Sequence, residues 1–140
     1  MSDPFGLQRF VAAQRGSYDT ALAELRAGSK RSHWMWFVFP QVAGLGHSPT
    51  AQAYAVADLA EARAYLAHDV LGPRLHQCCD ALLGLEGVSA EQVLGSTDAM
   101  KLRSSMTLFA LAAPDDPVFD RVLDRFFGGE RDERTPALLR

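Results

Sequence analysis

The run Lys30-Arg31-Ser32-His33-Trp34-Met35-Trp36-Phe37-Val38-Phe39-Pro40-Gln41 sets two cations, a hydroxyl and an imidazole directly before an apolar, aromatic block. Cations and donors of this kind hold an anion, and an indole face stacks a planar ring, so the run has the makings of one lip of a ligand site. Its plainer reading is structural: Lys30 and Arg31 sit where a helix end favours positive charge, and Trp34 and Trp36 carry enough apolar surface to belong to a core. A second constellation is Asp98, Lys101, Arg103, Ser104, Ser105 and Thr107. Asp98 and Lys101 are three apart and pair along one helix face without implying any function. Ser104 and Ser105 are weak helix formers between Leu102 and Met106, which leaves two readings of their hydroxyls. Either they bond back to a carbonyl one turn earlier, or Lys101, or Arg103 with Ser104, completes an anion site begun by Lys30 and Arg31. A third piece, Gly44-Leu45-Gly46-His47-Ser48-Pro49, runs into a helix start that can offer backbone N–H groups to an anion, although glycines serve plain turns more often.

Standard catalytic and metal patterns are missing. His76 and Cys79 are three apart, but His33, His47 and His68 stand at no ligand spacing to them, so neither a metal nor a cofactor is expected. Neither a G-x-S-x-G elbow nor an H-E-x-x-H motif occurs. Asp115-Asp116 and the Glu130, Asp132, Glu133 group lie in capping and surface contexts rather than as paired catalytic carboxylates. Cys78 and Cys79 are adjacent, which suits a buried helix face better than a disulfide and predicts a reducing, cytoplasmic setting. A formal net charge of −3 argues against a broad nucleic-acid-binding face. With no long apolar run and no basic-then-apolar start after Met1-Ser2-Asp3-Pro4, neither membrane insertion nor export is expected.

The elements that must position these residues are helices. The 140 residues, 48% hydrophobic and 22% charged, suit one globular domain spanning 1–140. Asp3 and Pro4 start a first helix with Leu7, Phe10 and Val11 on its inner face, and Ser17 caps a second one that Gly28 ends. The block Trp34 to Phe39 is compatible with a strand, a helix or a buried extended segment, and Pro40 stops it. Ser48-Pro49 opens a helix holding Tyr54, and Asp58 opens another with Glu61 as its capping-box partner. Asp69 is the expected cap for the segment carrying Leu71, Leu75, Cys78, Cys79 and Leu82, whose start Gly72-Pro73 can kink or delay. Ser89 with Glu91 begins a brief helix closed by Gly95, and Ser96 or Thr97 caps a long one through Leu111. Val118, Phe119, Val122, Leu123 and Phe126 form one more apolar stripe, and a final turn through Leu138 follows. The expectation is an all-α single compact domain of about eight short helices, with room for one short extended segment near Trp34–Phe39.

Three strings carry a resemblance: Lys30 to Phe37 with Phe39-Pro40-Gln41, Glu61-Ala62-Arg63-Ala64-Tyr65-Leu66, and Lys101 to Phe109. They resemble the uncharacterised bacterial family called domain of unknown function 1810, sometimes labelled calpastatin, and the similarity runs from about Asp3 to Leu139. The resemblance implies a mainly α-helical domain and brings no activity and no catalytic residue with it. More distantly, the order of a cationic-aromatic segment, a Ser-Pro helix start and a late Lys-x-x-x-x-Met-x-x-Phe helix is reminiscent of small helical N-glycosidases acting on ADP-ribose or phosphorylated riboflavin precursors.

The functional expectation is a cytoplasmic domain that binds a small anionic, ring-containing metabolite of nucleotide or sugar-phosphate type. Its candidate ligand-binding residues are Lys30, Arg31, His33, Trp36, Gln41, Tyr54, Lys101, Arg103 and Ser104. Arg31 and Lys101 would neutralise the anion, His33 and Ser104 would hydrogen-bond it, and Trp36 with Tyr54 would wall the ring. The alternatives are an N-glycosidase-like enzyme acting on ADP-ribose or a related nucleotide, and a protein-interaction module presenting an aromatic patch.

Overall fold

The computed structural model describes residues 3–139. Among the described residues ten helices follow one another: α1 (Gln8–Gln14), α2 (Tyr18–Ala27), α3 (Met35–Val38), α4 (Pro49–Ala53), α5 (Leu59–Ala67), α6 (Leu71–Leu83), α7 (Ala90–Leu94), α8 (Ser96–Ala112), α9 (Val118–Phe127) and α10 (Arg134–Leu138). The block expected as strand, helix or extended chain is the single turn of α3, because Pro40 keeps the residue before it, Phe39, out of helical backbone. An isolated parallel bridge between Val42 and Val56 closes the excursion that carries α4.

The sequence periodicity explains most of these elements. Gly28 ends α2 in the left-handed conformation at φ 73°, which a glycine adopts without steric cost. Asp58 caps α5 by accepting from Glu61 N, and Ser48 caps α4 by accepting from Ala51 N. Several starts differ from expectation. α1 begins at Gln8 rather than at Pro4, with Asp3 accepting from Leu7 N and Gln8 N, and Ser17 precedes α2 without a side-chain cap, its hydroxyl donating instead to the Ala13 carbonyl at 2.8 Å. α6 is capped by His68, whose Nδ1 accepts from Val70 N and Leu71 N, and not by Asp69. α7 has a capping box between Ser89 and Gln92 rather than Glu91, since only the third residue along reaches back to the cap. α8 begins after Gly95 at φ 86° with no side-chain cap, so neither Ser96 nor Thr97 serves as one.

α8 is the axis of the core. It is buried on nearly every side from Leu102 to Ala112 and packs against α5, α7, α9 and α10, while α6 packs against α2, α5 and α9. Its helical apolar stripe is therefore broad, as befits a central helix. A file of rings crosses the interior: Phe10 meets Tyr65 edge-on at 5.2 Å, Tyr65 meets Phe109 at 5.4 Å, and Phe109 meets Phe119 at 5.6 Å. Cys78 and Cys79 are both buried and unbridged, and burial pushes the Cys78 thiol up to about 12, so they behave as small apolar side chains.

Polar groups inside the core are placed where elements must be joined. Gln14 donates to the Phe37 carbonyl at 2.6 Å and to Tyr65 Oη at 3.2 Å, which fixes α3 against α1 and α5. The hydroxyls of α8 dock the C-terminal segment. Thr107 Oγ1 accepts from Asp132 N at 3.0 Å, and Asp132 Oδ2 accepts from Ser104 Oγ at 3.2 Å and from Thr135 Oγ1 at 2.6 Å. His76 ties α6 to the segment before α9, its Nδ1 facing the Gly72 carbonyl at 2.9 Å and its Nε2 the Asp116 carboxylate at 2.5 Å. Both partners are acceptors only, so the ring satisfies them when both nitrogens carry protons.

Candidate functional site

The site is built on the turn between α2 and α3. Glu24, on the last turns of α2, folds this turn around its carboxylate: Oε1 accepts from Arg31 N at 2.8 Å, Ser32 N at 3.0 Å and Trp34 Nε1 at 2.9 Å, and Oε2 accepts from Ser32 Oγ at 2.6 Å. Burial alone would raise this carboxyl, but the Ser32 hydroxyl and the three N–H donors outweigh it and hold it at about 2, below the ordinary 4.5. The turn is also pinned to α7, because Lys30 N donates to the Val93 carbonyl at 2.8 Å. Since α7 passes into α8 through Gly95, this one bond brings the cationic turn to the start of the central helix.

Glu24→Gln should cost about 1 to 2 kcal/mol at pH 7 once solvent screening is allowed for. A carboxylate with a depressed pKa stabilises the fold above its ordinary pKa and loses that contribution as pH falls through the folded value. The gap between wild type and variant should therefore close as pH falls from the ordinary 4.5 towards about 2, measured by urea unfolding at several pH values. A gap that stays constant over that range would contradict the role given to Glu24.

Between this turn and α8 lies a hollow of about 370 Å³ lined by Lys30, His33, Met35, Trp36, Leu94, Gly95, Ser96, Thr97, Asp98 and Lys101. Its size is within the range of small-molecule sites. Lys30 leaves only 9% of its side chain exposed, with Nζ 2.8 Å from Asp98 Oδ2 and 5.2 Å from the centroid of the buried Trp34 ring. Lys101 Nζ lies 3.3 Å from Asp98 Oδ1 and 4.6 Å from the Trp36 centroid. Trp36 is half-buried beneath the Lys101 ammonium, whereas Trp34 is wholly interior. The amides of the first turn of α8 have no side-chain acceptor, and the positive end of its dipole points at the same place. The hollow thus combines two ammonium groups bridged by one carboxylate, an imidazole, an indole and free backbone donors.

A second hollow of about 170 Å³, lined by Gln41, Leu45, Gly46, Thr97, Met100, Lys101 and Arg134, adjoins the first and shares Thr97 and Lys101 with it. Met100 and Leu138 are the large apolar side chains most open to solvent among the described residues; Met100 borders this hollow and Leu138 one further along, beside His47. Among the described residues, no group of three or more His, Cys, Asp or Glu side chains is placed to hold a metal ion.

The structure brings Lys30, His33, Trp36 and Lys101 together and sets Gln41 in the adjoining hollow. The other candidates stand apart from it. Arg31 is exposed and meets Glu24 through its backbone N–H, and Tyr54 packs on Phe10 and Phe37 at 5.9 and 5.4 Å between ring centroids. Arg103 lines a small hollow with Met100, Asp132 and Arg134, and Ser104 is buried with its hydroxyl committed to the Met100 carbonyl and Asp132. Asp98 also lines the hollow: its pairing with Lys101 is visible in the sequence at i, i+3, but its pairing with Lys30 needs the fold.

An all-helical single domain with a cationic, indole-walled hollow at the start of its central helix is thus defined. The family described as "Protein of unknown function (DUF1810)" matches residues 4–139, and the chain belongs to it. The chain is also similar to the conserved hypothetical protein Rv1873 from Mycobacterium tuberculosis, known from a crystal structure at 1.38 Å, with 53% identity, 98% of each chain covered and a TM-score of 0.96. No curated protein matches the chain. Among the described residues, no helix is long and apolar enough to cross a membrane.

Proposed function

We propose that the protein binds a small anionic, ring-containing metabolite of nucleotide or sugar-phosphate type in the hollow between the α2–α3 turn and the start of α8. One observation carries this reading: Lys30, with nine-tenths of its side chain buried, and Lys101 bring their ammonium groups to one hollow beside the half-buried Trp36. Burying an ammonium is costly, and here the Asp98 carboxylate meets it at a place that an incoming anion can take. The anion is received by Lys30, Lys101 and the amides of Ser96 and Thr97, His33 donates from the rim, and the ring rests on Trp36.

Thermal unfolding in the presence of AMP, ribose 5-phosphate and adenosine tests this. AMP should raise the Tm by an increment that grows with its concentration, and adenosine should raise it less. The Lys30→Gln/Lys101→Gln double variant should lose the AMP effect while staying folded. No stabilisation by either phosphate, or an AMP effect that survives the double substitution, would contradict the reading. Chromatography of the same AMP mixtures separates binding from N-glycosidic cleavage, which would release adenine.

A further inference from the structure

We propose that Asp98 is a built-in counter-ion of the hollow, displaced when ligand enters, and that this exchange selects phosphate-type anions over simple carboxylates. The proposal rests on the anion-binding reading above. The Asp98 carboxylate bridges the two cations, Oδ2 at 2.8 Å from Lys30 Nζ and Oδ1 at 3.3 Å from Lys101 Nζ, and so stands where an incoming anion has to stand. Among the described residues Asp98 is the ion-pair partner of Lys30, whose side chain is 9% exposed. A charge so enclosed is not left unpaired, so Lys30 is met either by Asp98 or by a ligand.

The two occupants differ in ways that set selectivity. Asp98 is tethered to α8 and surrenders little freedom when it pairs, whereas a free anion surrenders its translation and rotation. A monocarboxylate brings the same single charge and the same two oxygens as Asp98, and it has nothing with which to offset that loss. A phosphomonoester brings a charge of about −1.5 to −2 and three acceptor oxygens. It can hold both ammonium groups and still reach the amides of Ser96 and Thr97, which no side chain caps.

The test is titration of the full chain with inorganic phosphate and with acetate, following the amide signals of His33, Ser96 and Thr97 by NMR. In the wild type, phosphate should move these signals and acetate at equal concentration should not. In Asp98→Asn the competitor is gone while the side chain keeps its shape, so phosphate should bind about tenfold more tightly and acetate should begin to move the same signals. Asp98→Ser, which removes the carboxylate differently, should behave alike and covers the case in which the asparagine variant fails to fold. Phosphate affinity that is unchanged or weaker in folded variants would overturn the exchange while leaving the anion site standing, since Asp98 would then be holding the lysines in place. Acetate binding to the wild type as well as phosphate does would overturn it too. Absence of phosphate binding in the wild type and in both variants would overturn the anion reading itself.

Discussion

Gly72→Ala should destabilise the protein by more than about 3 kcal/mol and lower its Tm by about 10 °C. A Cβ at this position would lie 2.1 Å from the Leu66 carbonyl oxygen and 3.0 Å from its carbon. That obstacle is backbone at the end of α5, so it cannot be relieved by a rotamer change, and the start of α6 would have to move off α5. Gly16→Ala is the matched control, because nothing lies within 4 Å of its added Cβ. It should leave the Tm unchanged or slightly raised through the lower entropy of the unfolded chain. A Gly72→Ala protein melting within a degree or two of wild type would show that α5 and α6 do not pack as closely as described.

The second large effect belongs to Arg9. Its guanidinium uses all five donors: Nε to the Ala53 carbonyl at 2.9 Å, Nη1 to Phe5 and Gly6 carbonyls at 2.7 and 2.9 Å, and Nη2 to the Ala55 carbonyl at 2.8 Å and Glu61 Oε2 at 2.7 Å. Glu61 is buried, and its other oxygen accepts from Ala57 N at 3.1 Å. One side chain thus joins the N-terminal segment, the end of α4 and the start of α5. Arg9→Ala leaves Glu61 buried without its cation and should cost about 4 kcal/mol. Arg9→Lys keeps the charge but not the planar fork and should still cost about 2 kcal/mol. Urea unfolding of both variants checks this, and a lysine variant as stable as wild type would show that charge alone suffices there.

Glu61 also shows where sequence reasoning reaches its limit. Its place three residues after Asp58 correctly marks a helix start, and Asp58 does cap Glu61 N. The glutamate side chain, however, turns to Arg9 and to Ala57 N, one residue before the cap, because a guanidinium from a distant helix competes for it. Local periodicity likewise makes the helices of Tyr18–Ala27, Leu71–Leu83 and Val118–Phe127 legible, since each presents one apolar stripe to the core. It says less about Trp34 to Phe39, where every side chain is apolar and burial, not period, decides the conformation. The hydroxyls of Ser104 and Thr107 stand out by type, but nothing local reveals that both also serve Asp132 at the far end of the chain.

The candidate site follows the same division. Lys30, His33 and Trp36 belong to one short run and their proximity is inherent in it, whereas Lys101 joins them through the Lys30 N to Val93 carbonyl bond and the Gly95 junction. Tyr54 is drawn instead to the rings of Phe10 and Phe37, an apolar neighbourhood that outcompetes the rim of a polar hollow for an aromatic side chain.

The measurement that bears most directly on the anion site is a crystal grown without sulfate, phosphate or carboxylate buffers and then soaked with ribose 5-phosphate. Density for the phosphate group within hydrogen-bond reach of both the Lys30 and Lys101 ammonium groups, with the sugar towards Trp36, is the predicted result. A Lys30–Asp98–Lys101 cluster left intact, with no density beside it at saturating ligand, would contradict it.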